Sequence, residues 1–116
     1  MKFMKISTIC IITMAVLTIL GSQAAAHPPG FVVPKYEENS LKVTIMHFTL
    51  SPFRSHYIYR IDIEKNGQEY ILENYEEQPR FLFFSYTYDV ETEVGDEIKI
   101  TAFCSLFGQK SRTIIV

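Results

Sequence analysis

Cysteine is scarce in this chain of 116 residues: there are two, Cys10 and Cys104, and they stand at opposite ends. No C-x-x-C or H-x-x-x-H spacing occurs, so the usual zinc signatures are missing. There is no Ser-His-Asp order, no nucleophile elbow and no glycine-rich phosphate loop, which leaves hydrolase and nucleotide-binding readings without support. A block of basic residues is also absent, and with it the electrostatic footprint of a nucleic-acid partner. Nor is there a long amphipathic stretch suited to a membrane surface, an internal repeat or a low-complexity tract.

What is present begins with a leader. Met1-Lys2-Phe3-Met4-Lys5 is followed by an apolar run from about Ile6 to Leu20 and then by Gly21-Ser22-Gln23-Ala24-Ala25-Ala26. A basic start, an apolar centre and an A-x-A site describe a signal peptide over residues 1–26. The apolar run falls short of the roughly 20 residues that a bilayer-spanning helix needs. Cleavage after Ala26 removes Cys10 and leaves a mature domain over 27–116 that is exported, to the periplasm, the cell surface or the medium, with no membrane attachment. Taking Lys2 and Lys5 away leaves nine basic residues against thirteen acids, a net charge of −4 with the histidines neutral. A domain of this size buries only about 60–65% of its unfolded surface, and many secreted domains add disulfides for that reason. With Cys104 as its one cysteine, the mature chain cannot form a disulfide within itself.

Periodicity makes the domain all-β. Strands are predicted near 30–33, 41–48, 56–64, 68–74, 80–88, 97–104 and 111–116. Leu41, Val43, Ile45 and His47 alternate with Lys42 and Thr44, and Ile98, Ile100, Ala102 and Cys104 alternate with Lys99 and Thr101. In the third strand Ile58 is out of phase with Ile61 and Ile63, which predicts a bulge. Asn66-Gly67 between two such runs is a type I′ hairpin signal, and Gly95-Asp96 marks another turn. About seven short strands at this spacing predict an immunoglobulin-like, seven-stranded antiparallel sandwich. Phe81, Phe83, Phe84, Tyr86 and Tyr88 form a dense aromatic strand. It is expected to serve the core, with either Phe83 or Phe84 facing outward.

Few residues remain that can ligate a metal. After the leader they are His27, His47, His56 and Cys104, apart from carboxylates. Composition gives each a bland reading: a cysteine in a core as a small hydrophobe, a histidine at a strand end as a satisfied polar group. The segments HPPGFVVP at 27–34, SHYIYRIDI at 55–63 and AFCSLFG at 102–108 resemble, in the same order, three segments of the superoxide reductases, the neelaredoxins and the iron domain of desulfoferrodoxin. The likeness spans the mature chain and implies the same seven-stranded sandwich. It further implies a mononuclear iron that reduces superoxide to hydrogen peroxide, held by four histidines and one axial thiolate. By this resemblance His27 matches the first histidine, His56 the third and Cys104 the thiolate. The chain departs from the pattern at two of five ligands: Phe107 stands at the fourth histidine, and Leu50 and Ser51 occupy the neighbourhood of the second.

Three readings follow. A divergent superoxide reductase-like oxidoreductase would take iron as its cofactor, with superoxide and an electron donor as partners. A secreted module on the same scaffold would use His27, whose freed α-amine chelates with its own imidazole, together with His56, Cys104 and optionally His47. Its metal would be copper or zinc, since few ligands with a soft sulfur favour these over iron. A metal-free binding or structural domain, open to homo-oligomerisation, is the third. Arg54, Lys110 and Arg112 would form a basic rim able to steer an anion if their loops meet at one end of the sandwich.

Overall fold

The structure is a computed structural model, described here for residues 29–50 and 56–116. The strands are β1 (Phe31–Glu37), β2 (Ser40–Met46), β3 (Ile58–Lys65), β4 (Gln68–Asn74), β5 (Phe83–Asp89), β6 (Glu97–Cys104) and β7 (Gln109–Ile115). They form two antiparallel sheets with strand orders β1-β2-β5 and β4-β3-β6-β7. The expected all-β sandwich is what the chain adopts, and among the described residues no helix is long and apolar enough to cross a membrane.

The alternation seen in the sequence becomes the core. Leu41, Val43 and Ile45 from β2 face Ile58, Ile61 and Ile63 from β3 and Ile98, Ile100 and Ala102 from β6, all fully buried. The predicted bulge is present. The β3–β6 register runs Ile58↔Cys104 and then Arg60↔Phe103, so Tyr59 is the extra residue. A bulge shifts side-chain phase by one residue, which is how Ile58 reaches the same interior as Ile61 and Ile63.

Two hairpins use two-residue loops. Asn66 and Gly67 have φ of 52° and 80°, joining Lys65 to Gln68 as the type I′ signal predicts. Glu38 and Asn39 also have positive φ, 47° and 62°, and close β1 onto β2 at Glu37↔Ser40. This second turn, built without glycine, carries β1 past the predicted end at Val33. Pro34 sits inside β1, opposite Val43. It is tolerated because β1 is an edge strand, where the missing N–H can face away from the partner. Of the aromatic strand, Phe84 and Tyr88 are buried while Phe81 and Phe83 are exposed, as the opposite faces of Phe83 and Phe84 require.

Candidate metal centre

β2 ends at Met46, but the inward phase continues for one residue and buries His47 to 3% exposure. Its backbone N–H donates to the Leu82 carbonyl, and Thr49 N–H donates to Phe81 O, so the segment after β2 stays fastened to the approach to β5. The same alternation in β6 carries Ile98, Ile100 and Ala102 inward and ends on Cys104, 5% exposed and in no disulfide. His56 stands two residues before Ile58, the residue paired with Cys104 across the β3–β6 ladder.

Local hydrogen bonds hold the His56 and Cys104 segments together. Tyr57 N–H donates to Ser105 Oγ at 3.0 Å, and Ser105 N–H returns a bond to Tyr57 O at 2.8 Å. Cys104 N–H closes its own loop onto Gly108 O at 3.0 Å. Thr49, 1% exposed, donates through its hydroxyl to the carbonyl of His56, linking the His47 segment to the His56 segment.

These ties bring three ligating side chains from both sheets to one point. His56 Nε2 lies 3.1 Å from Cys104 Sγ. The His47 and His56 rings meet edge to face, 4.6 Å between centroids and 81° between planes. One ligating atom from each of His47, His56 and Cys104 lies within 4.8 Å of the others. An ion bonded to nitrogen at roughly 2.1 Å and to sulfur at roughly 2.3 Å spans a nitrogen–sulfur edge of about 3.1 Å when the two bonds meet near a right angle. The His56–Cys104 separation therefore fits a shared metal. A pair at the 4.8 Å limit would have to close by about 1.7 Å to do the same at a right angle, and by about 1.2 Å at a tetrahedral angle. Two imidazoles and a thiolate are a donor set taken by iron, copper and zinc alike.

Of the residues expected from the sequence, His56 and Cys104 are brought together. His47, an optional member there, is a full member of the cluster. In the neighbourhood where the sequence offered only Leu50 and Ser51, His47 lies three residues upstream of Leu50. Leu50 itself is 72% exposed, and Ser51 and Arg54 lie outside the described residues. His27 also lies outside them. Phe107 is 63% exposed and supplies no ligand. Lys110 and Arg112 are exposed on β7 opposite Ala102 and Ile100, the inward residues that lead up to Cys104.

Gln78 had no signal in the sequence. It lies in the loop between β4 and β5, is 1% exposed, and places its Oε1 2.8 Å from His47 Nδ1. Ile58 N–H also donates to that oxygen at 3.2 Å. The Gln78 amide nitrogen donates to His47 O at 2.6 Å and to Arg80 O at 2.8 Å.

No protein-family model matches the sequence, and no curated protein matches it. Among solved structures, a superoxide reductase (neelaredoxin) from Ignicoccus hospitalis is similar at 15% identity and a TM-score of 0.48, covering 82% of this chain and 84% of that one. The superoxide reductase from Nanoarchaeum equitans is similar at 15% identity and a TM-score of 0.44, covering 78% of this chain and 94% of that one. The likeness is distant and lies in the fold.

Proposed function

We propose that this chain is an exported, mononuclear metal-binding domain of superoxide reductase type, with His47, His56 and Cys104 as its ligands and iron as its ion. The convergence of one sulfur and two imidazoles within 4.8 Å carries this reading. The resemblance of the segments around His56 and Cys104 to the superoxide reductases supports iron over other ions. Bound iron would supply one electron to superoxide, which with two protons gives hydrogen peroxide; an external donor returns the electron. The chain's own part is to hold the thiolate in a dry interior, where hydrogen bonding and burial set its donor strength, and to fix the imidazoles through the Thr49 and Tyr57–Ser105 ties. Lys110 and Arg112 add positive charge on the strand that neighbours the thiolate strand and would draw in an anion.

His27 is proposed as a further ligand. Gly30 N–H donates to Met46 O, beside His47, and three extended residues cover about 10 Å, so a chain continuing from Gly30 can bring His27 to the site. A second reading is favoured by Phe107, which stands where the resemblance calls for a fourth imidazole. With few nitrogens and one soft sulfur, the site would hold copper or zinc and perform no superoxide chemistry.

One experiment tests both. The mature protein, isolated with His27 as its first residue, is assayed for metal content, visible spectrum and consumption of superoxide. Iron with a sulfur-to-metal charge-transfer band that disappears in Cys104→Ser supports the first reading. His56→Ala should weaken ferrous binding beyond the roughly 10–100-fold typical of losing an outer-shell partner. Copper or zinc in place of iron supports the second reading. No metal in the wild type, with a Cys104 thiol inert until unfolding, overturns both.

A further inference from the structure

We propose that Gln78 is the positioning residue of this centre: it fixes His47 as the Nδ1–H tautomer, so that the lone pair a metal requires resides on Nε2. This rests on the reading of His47 as a ligand.

The orientation of the Gln78 amide is set by its surroundings. Its nitrogen meets two carbonyl oxygens, those of His47 and Arg80, and only an N–H₂ group can satisfy both. A flipped amide would place oxygen against oxygen there and its N–H₂ group against the Ile58 N–H. The oxygen therefore faces Ile58 N–H and His47 Nδ1. An amide oxygen only accepts, so the proton in the 2.8 Å contact belongs to His47 Nδ1. In a neutral imidazole the other nitrogen, Nε2, then carries the lone pair.

Gln78 also grips His47 twice, once at the ring and once at the backbone carbonyl, which limits rotation of the ring. Both amide hydrogens and both oxygen lone pairs are used. A buried glutamine is costly unless satisfied, and this one is satisfied by the two segments that carry the histidines together with the Arg80 carbonyl of its own loop.

The ties to His47 O, Arg80 O and Ile58 N–H would also suit a residue that only braces the loop. Two substitutions separate the roles. Gln78→Glu keeps an acceptor for Nδ1–H and loses the donors to the two carbonyls; Gln78→Met keeps the bulk and loses both. Long-range proton–nitrogen correlation spectra of the metal-free protein read the tautomer, and anaerobic titration with ferrous iron and with zinc reads the affinity. The expected result is Nδ1–H in the wild type and in Gln78→Glu, with affinity retained in both. Gln78→Met should lose the single tautomer and bind roughly 10–100-fold more weakly. Equal loss in both variants, or no change in Gln78→Met, overturns the positioning role. If Gln78→Met does not fold, the wild-type spectrum still decides: an Nε2–H tautomer overturns the proposal on its own. Absence of metal binding by the wild type overturns the metal reading instead, whatever the tautomer.

Discussion

Cys104 answers to two demands that conflict in most domains, burial among isoleucines and access to a polar partner. The strand phase that buries Ile98, Ile100 and Ala102 delivers its sulfur beside His56 at the end of β6. That phase was legible from alternation, as was the inward position of His47. Gln78 was not, because a glutamine in Asn-Tyr-Glu-Glu-Gln-Pro reads as solvated loop. Its partners His47 and Ile58 are 31 and 20 residues away in sequence. Asp96 is a surface residue whose role is equally specific. It accepts from Glu93 N–H and from Asn66 Nδ2, and these bonds, the first above all, hold its carboxyl below the ordinary range. A depressed carboxyl stabilises the fold above its unfolded value near 3.8, and the contribution is lost as pH falls through the lower folded value. Asp96→Ala should therefore lower the melting temperature at neutral pH, and the gap to the wild type should narrow below about pH 4. Thermal melts across the acid range check this.

Among the strands, β3 does the most to place the centre. Without the extra residue at Tyr59, either Ile58 or the pair Ile61 and Ile63 would turn outward, and the His56 end of the strand would lose its register with Cys104. The sequence announced this through broken phase, and it announced the Asn66-Gly67 hairpin through the one dipeptide suited to two positive φ values. Gly67→Ala places a Cβ at φ 80° with open space around it, so the cost is conformational, about 1–2 kcal/mol. A urea titration should show the midpoint falling with little change in slope. The Glu38-Asn39 turn escaped notice because neither residue is glycine. β1, predicted to end near Val33, runs on to Glu37, because Pro34 lies on an edge strand where its missing N–H can face away from the partner.

Across the molecule, the candidate metal-binding cluster joins the sheets, with His47 following β2 in one, and His56 just before β3 and Cys104 at the end of β6 in the other. A second junction is aromatic. Tyr75, just after β4, stacks on Tyr86 of β5 at 4.1 Å and shares a 2.7 Å hydroxyl contact with Tyr88. Burial, first among the causes, raises the ionisation of all three phenols above the ordinary value of 10. A raised phenol gives stability that is fully present below the unfolded value and lost as pH climbs past it toward the folded one. Unfolding should therefore set in above about pH 10, and Tyr88→Phe should shift that alkaline limb while leaving the acid limb in place, as read by circular dichroism and tyrosinate absorbance. The outer border of the three-stranded layer has a different character. Because Pro34 brings no amide hydrogen to it, an incoming extended peptide would find the ladder interrupted midway along β1. Lateral growth from that side is thereby discouraged, and β4, β5 and β7 are left as the borders through which one molecule could zip onto another.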